Sequence, residues 1–149
     1  MVIDSLLLDK LTAQAQASPR LRMNLDLRNS AADSSQRMLN AIEPGSVVPV
    51  HRHPATSETL VVLRGCVVEE YYSSEGVVEA SYELSAGGDG SVSGMTVGCA
   101  LNIPAGQWHT LRALESGTVI LEMKDGAYEP ISPADISSGH GGEGGVRRI

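Results

Sequence analysis

From Arg20 to Met123, turn-forming residues interrupt the chain about every 8–12 positions, leaving runs too short for anything but strands. RLRMNLDLR (20–28) alternates without a break. Leu21, Met23, Leu25 and Leu27 face one way, and Arg20, Arg22, Asn24, Asp26 and Arg28 the other. CVVEEYY (66–72) and VVEASYELS (77–85) flank an SSEG turn and read as a hairpin. After the loop AGGDG, SVSGMTV (91–97) is a weaker strand interrupted by Gly94. CALNI, HTLRAL and TVILEM follow, separated by PAGQW and ESG. Such a succession predicts an all-β antiparallel sandwich or barrel. One segment departs from it. In residues 2–17, Leu7, Leu8, Leu11 and Ala15 share a helical face, Asp4 or Ser5 can cap the start, and Pro19 enforces a stop. This helix is expected on the outside of the sheet or against a partner subunit. QRMLNAIEPG (36–45) fits a short helix as well as a strand.

The chemistry concentrates between Gly45 and Gly65. His51 and His53 are one residue apart, so on a strand they share a face, with Cβ atoms roughly 6.5 Å apart. Two imidazoles leaning together from there can reach one metal ion at about 2.1 Å each. Pro54 ends that run, and a polar Ala-Thr-Ser turn leads to Glu58 at the start of TLVVL. A hairpin of that shape brings Glu58 to the same ion. Further on, an apolar run ends at Pro104, a Pro-Ala-Gly turn follows, and His109 opens the next strand as a candidate fourth ligand. Neutral imidazoles with one carboxylate form a mixed nitrogen and oxygen site suited to a divalent Fe, Mn, Ni, Co or Zn ion, one per chain.

These residues resemble the two motifs of the cupin superfamily. Gly45, His51, His53, Glu58 and Gly65 fit G-x5-H-x-H-x4-E-x6-G, and Gly98, Pro104, Gly106 and His109 fit G-x5-P-x-G-x2-H. Ala113 stands where the second motif usually ends in Asn. The resemblance implies a cupin jelly-roll (double-stranded β-helix) barrel with a short N-terminal helix. It also turns the ambiguous 36–45 segment into a strand and gives His51, His53, Glu58 and His109 the role of metal ligands. The expected division is a helix over 1–19 packed on the barrel, the barrel over 20–137, and a flexible glycine-rich tail over 138–149 carrying His140. Cupins commonly dimerise through edge strands, so a homodimer is expected.

More narrowly, the chain is similar to cupin-fold metalloproteins of the WbuC type, found beside bacterial O-antigen and polysaccharide biosynthesis genes. SPRLRMNLDLR, QRMLNAIEPG, PVHRHP, GQWHTLRAL and EMKDGAYEP carry this likeness. Arg22, Asn24, Arg37, Asn40, Lys124 and Tyr128 lie in the matching segments and are candidate ligand contacts. Several pointing inward would suit an anionic or polyhydroxylated small molecule, such as a sugar phosphate or a hydroxy acid. Three chemistries follow. The metal can act as a Lewis acid in isomerase or epimerase chemistry; an Fe(II) ion can support a dioxygenase; or metal and cavity can serve a non-catalytic binding or accessory module.

The net charge of −7 argues against a nucleic-acid surface. No apolar run approaches the roughly 20 residues of a membrane span. The start, MVIDSLLLDK, carries Asp4 and Asp9 and lacks a basic signal region, so the cytoplasm is the expected location. Cys66 and Cys99, each following a motif glycine, are then expected as reduced, small buried apolar residues. With no Phe and Trp108 as the only Trp, the core must come from Val, Leu, Ile, Met and Ala. No nucleotide or flavin fingerprint is present.

Overall fold

The computed structural model describes residues 1–88 and 96–137. Among the described residues, one α-helix, α1 (Ser5–Ala17), precedes nine strands: β1 (Arg22–Asp26), β2 (Ser35–Ile42), β3 (Glu58–Arg64), β4 (Cys66–Tyr72), β5 (Val78–Ser85), β6 (Thr96–Gly98), β7 (Ala100–Ile103), β8 (Trp108–Ala113) and β9 (Thr118–Asp125). They form two sheets, ordered β1-β2-β9-β3-β7 and β6-β5-β4-β8. All pairings are antiparallel except β5 with β6. This is the cupin jelly roll. The 36–45 segment is a strand through Ile42, since β2 pairs with both β1 and β9 and tertiary pairing overrides the local ambiguity. The 138–149 tail, His140 and most of the SVSGMTV run lie outside the described residues.

Period two sorts each strand between two cores. Inward residues of the first sheet (Ile42, Leu60, Val62, Ile120) pack against those of the second (Val67, Leu84, Leu111, Ala113). The other face of the first sheet offers Leu39, Ala41 and Val119 to α1, which covers them with Leu8, Leu11 and Ala15. Asp4 caps the helix by accepting from Leu7 N–H at 3.0 Å. Arg64 clamps it through Asp9 Oδ1 at 2.6 Å and Thr12 Oγ1 at 2.8 Å. Among the described residues, no helix is long and apolar enough to cross a membrane.

Two expectations change. Cys66 is buried, but Cys99 is exposed, because it occupies the single position between β6 and β7 rather than a place inside a sheet. The chain also makes no hairpin between His51 and Glu58. β3 enters the first sheet between β9 and β7. The His51 segment instead lies along β8 of the second sheet, joined by His51 N–H to His109 O at 3.0 Å and His109 N–H to His51 O at 2.9 Å. Residues 54–57 therefore cross from one sheet to the other.

The β3–β4 connection needs a glycine. Gly65 has φ +81°, and a Cβ placed there would lie 2.8 Å from the Thr118 Cα. Gly65→Ala thus combines left-handed strain with a backbone clash, and should cost roughly 2–5 kcal/mol. Urea denaturation of the metal-free protein checks this; a loss below about 1 kcal/mol would show that the turn adjusts freely.

Candidate metal centre

The four motif side chains converge at the open end of the barrel. His109 projects inward from β8, Glu58 from the first residue of β3, and His51 and His53 from the extended segment beside β8. Their ligand atoms all lie within 4.8 Å of one another. The turn after β7 holds the two motifs together. Gly106, at φ +81°, directs its N–H to His53 O at 2.8 Å. The carboxylate thus comes from one sheet and the imidazoles from the other side of the barrel.

Hydrogen bonds orient two rings. His51 Nδ1 lies 2.8 Å from Pro49 O, and His109 Nδ1 lies 2.9 Å from Gln107 O. A carbonyl can only accept, so in both rings Nδ1 carries the proton and Nε2 is left with its lone pair. That outer contact is the one a ligating histidine requires. Burial holds the His51 imidazolium down to about 4, helped by His109. Burial likewise lowers His109. Both rings are therefore neutral at pH 7 and able to donate to a cation.

Glu58 is 4% exposed. Burial opposes its charge, but the His53 ring, Lys124 and His109 outweigh this and hold the carboxyl down at about 2. Its Oε2 has His53 Nε2 at 3.1 Å, Lys124 Nζ at 3.5 Å and His109 Nε2 at 3.8 Å. No well-directed hydrogen bond reaches this buried oxygen. A buried carboxylate oxygen without a directed donor, in a cluster where His51 and His109 turn Nδ1 outward to carbonyls, fits a divalent ion better than it fits a hydrogen-bonded core.

Above these groups opens a cavity of about 640 Å³, closed on one side by residues 126–136. Of the sequence candidates, Arg22, Asn40, Lys124 and Tyr128 line it. Asn24 does not; it sits across from Asn40 on the edge strand β1 and is exposed. Arg37 does not either. It occupies the opposite face of β2 from Asn40, where it bonds Ser35 O at 2.6 Å and Asp33 at 3.2 Å. Arg22 is engaged with Val47 O at 2.8 Å and Ser46 Oγ at 3.3 Å. Tyr128 lies beneath the Arg28 guanidinium, 5.5 Å from the ring centroid.

Gln36, Met38 and Glu122 also line the cavity and were not among the sequence candidates for ligand contact. The alternation of β2 would have found the first two, since Gln36, Met38, Asn40 and Ile42 share a face. Burial, followed by Glu58, pushes the Glu122 carboxyl up to about 7, against Lys124 and a hydrogen bond with Asn40. Glu69 faces inward from β4, its strand partner being Leu111 on β8. It is fully buried, and neither oxygen has a hydrogen-bond partner. Burial, with Glu58, Glu122 and Glu70, raises it well above the carboxylate range.

Solved structures share this jelly-roll fold. The chain resembles KdgF from a Halomonas species at 17% identity, over 73% of this chain and 82% of that one, with a TM-score of 0.52. It also resembles recombinant oxalate oxidase in complex with glycolate, at 16% identity over 78% of this chain and 57% of that one (TM-score 0.58). A third likeness is to the capsular polysaccharide assembling protein CapF from Staphylococcus aureus, at 17% identity over 77% of this chain and 31% of that one (TM-score 0.54). The chain therefore spans about four fifths of KdgF, but little more than half of oxalate oxidase and a third of CapF. Residues 3–84, more than half of the chain, match the family described as a domain of unknown function, DUF6016, and the chain belongs to that family. No curated protein matches it.

Glu69 generates a pH prediction. A carboxyl raised on folding adds stability below its unfolded value and loses it as pH rises through the folded one. With metal chelated, denaturant stability should fall more steeply with rising pH in the wild type than in Glu69→Gln, by up to about 1.4 kcal/mol per pH unit. Comparing the two slopes cancels the opposite trend that depressed His51 imposes between about 4 and 6.5. Parallel slopes would mean that Glu69 is not buried as a neutral acid.

Proposed function

We propose that this cupin binds one divalent transition metal through His51, His53, Glu58 and His109, and acts on a small sugar or hydroxy-acid ligand by isomerase- or epimerase-like chemistry. The observation carrying the proposal is the convergence of three imidazoles and a buried carboxylate at the floor of a cavity whose wall holds a second, protonatable carboxyl, Glu122. When bound, the metal supplies Lewis-acid polarisation of a ligand oxygen. The chain's own residues do the rest. Neutral His51 and His109 are held in the donating tautomer, Lys124 offers an ammonium, and Glu122, steadied by Asn40, takes and returns a proton near pH 7. Residues 126–136 limit water access from one side.

Three things support a setting in bacterial polysaccharide metabolism and a small oxygen-rich ligand: the likeness to WbuC-type cupins, the CapF neighbour named for capsular polysaccharide assembly, and the glycolate held by oxalate oxidase. A second reading, a metal-dependent binding module without turnover, is favoured by one observation. Among the described residues, Arg22 and Arg52, the two arginines lining the cavity, are both tied to other protein groups. That leaves few groups to drive a reaction.

Elemental analysis tests the metal. The wild type should carry about one transition-metal ion per chain, and His51→Ala and His109→Ala should each lose about ten- to a hundredfold or more in affinity. Unchanged stoichiometry and affinity in both variants would overturn the assignment. Glu122→Gln separates the two readings. It should keep metal and ligand while lowering turnover by about 10²–10⁴-fold if the protein is an isomerase.

A further inference from the structure

The cavity wall carries three cationic side chains, and two are engaged. The Arg22 guanidinium bonds Val47 O at 2.8 Å and Ser46 Oγ. Arg52 Nε bonds Asp135 Oδ1 at 2.7 Å, and the guanidinium lies over the Trp108 ring, 4.8 Å from its centroid. Lys124 is different. Its side chain is 13% exposed, and its one ion pair among the described residues is with Glu58 Oε2 at 3.5 Å, too long for a strong ammonium–carboxylate bond. An ammonium has three donors to satisfy. Burying it with so little compensation costs free energy unless another acceptor arrives.

Strand register places that acceptor's position. β9 lies between β2 and β3, and Lys124 is the partner of Gln36 on one side and Glu58 on the other. Lys124 thus stands on the wall directly beside the metal centre and projects into the same cavity. Resting on the proposed metal site, the charge balance is simple. Without metal, Glu58 and Lys124 offset one another. A divalent ion that takes up the Glu58 charge leaves the ammonium facing only Glu122, whose carboxyl burial pushes up to about 7, in a cavity whose other cations are spent.

We infer that Lys124 is the anchor for the carboxylate of a small oxyacid, and that this anion and the metal bind cooperatively. A single free ammonium can engage the two oxygens of a carboxylate but leaves the three of a phosphate ester under-bonded, which points to a carboxylate. Among the described residues, no α-helix terminus opens into this cavity to supply the further N–H donors that phosphate sites use, and the short 3₁₀ turn Pro133–Asp135 beside it has its Ala134 N–H directed to Ser132 Oγ. The reciprocity of linked binding makes the coupling measurable from the metal side.

The test uses the full chain, stripped of metal and titrated with cobalt(II) against a competing chelator, with and without lactate. Glycerol and inorganic phosphate are run in parallel. Lactate should tighten cobalt binding to the wild type by about tenfold, and glycerol should not. Lys124→Met should bind cobalt at least as tightly as the wild type, having lost a neighbouring positive charge, while the lactate effect falls below about twofold. Lys124→Arg should restore part of that effect. Lys124→Gln repeats the measurement with a polar side chain should the methionine variant fail to fold. A lactate effect that survives without the ammonium overturns the inference, as does a glycerol effect equal to it. Phosphate acting more strongly than lactate overturns the carboxylate assignment. Failure of the wild type to take up cobalt sinks the metal site and this inference with it, whereas uptake without any lactate response sinks the inference alone.

Discussion

Burying one carboxylate at the open end of the barrel sets the terms for everything around it. An ionised Glu58 removed from water costs several kcal/mol unless positive or donating groups replace the solvent. The fold meets that need from two directions. β9 brings Lys124 alongside in the same sheet, and the opposite wall brings the imidazoles of His53 and His109. Neither sheet could do it alone. The crossing at 54–57, the β8 pairing of His51 and the Gly106 contact to His53 are what bring the two halves of this arrangement together.

The barrel interior is graded to suit. Along β3 the inward series runs Val62, Leu60, Glu58, and along β9 it runs Ile120, Glu122, Lys124. Each series passes from apolar at the packed end to charged at the mouth. The apolar end carries the folding free energy, so the mouth can tolerate acids and bases that would weaken a core. Glu69 marks the transition, a neutral acid one layer down from the charged ones. Neighbouring carboxyls with such different surroundings titrate far apart, so Glu58 is held low while Glu122 and the deeper Glu69 are raised.

Much of this was legible in the sequence. Short alternating runs gave the all-β class, and motif spacing brought His51, His53, Glu58 and His109 to one place. The errors share a cause. Local period assigns faces within a run but not which sheet a run joins, so the His51–Glu58 connection read as a hairpin when it is a crossing. Asn24 and Arg37 were grouped with the cavity because they lie in the segments that resemble WbuC-type cupins. Parity alone separates Arg37 from Asn40, whereas Asn24 has the same parity as its β1 neighbour Arg22, which lines the cavity, and only the folded structure tells the two apart. Cys99 looked buried because it follows a motif glycine, yet it sits in a gap between strands. The unpartnered state of Glu69 and the freedom of Lys124 depend on what lies across the barrel, which no window of sequence contains.

Arg52 sits between the two histidines, and its backbone and side chain both reach Asp135, at 3.0 and 2.7 Å, while its guanidinium covers Trp108. The residue separating His51 from His53 thus helps to fasten the 126–136 segment across the cavity, together with the Gln36 bond to Gly126 O and the bridge between His51 and Ile136. The spacer carries a different kind of information from the ligands it separates. Substitutions there can reshape the entrance while leaving the metal-ligand set intact. A change at position 52 therefore alters how the entrance is closed without touching His51, His53, Glu58 or His109.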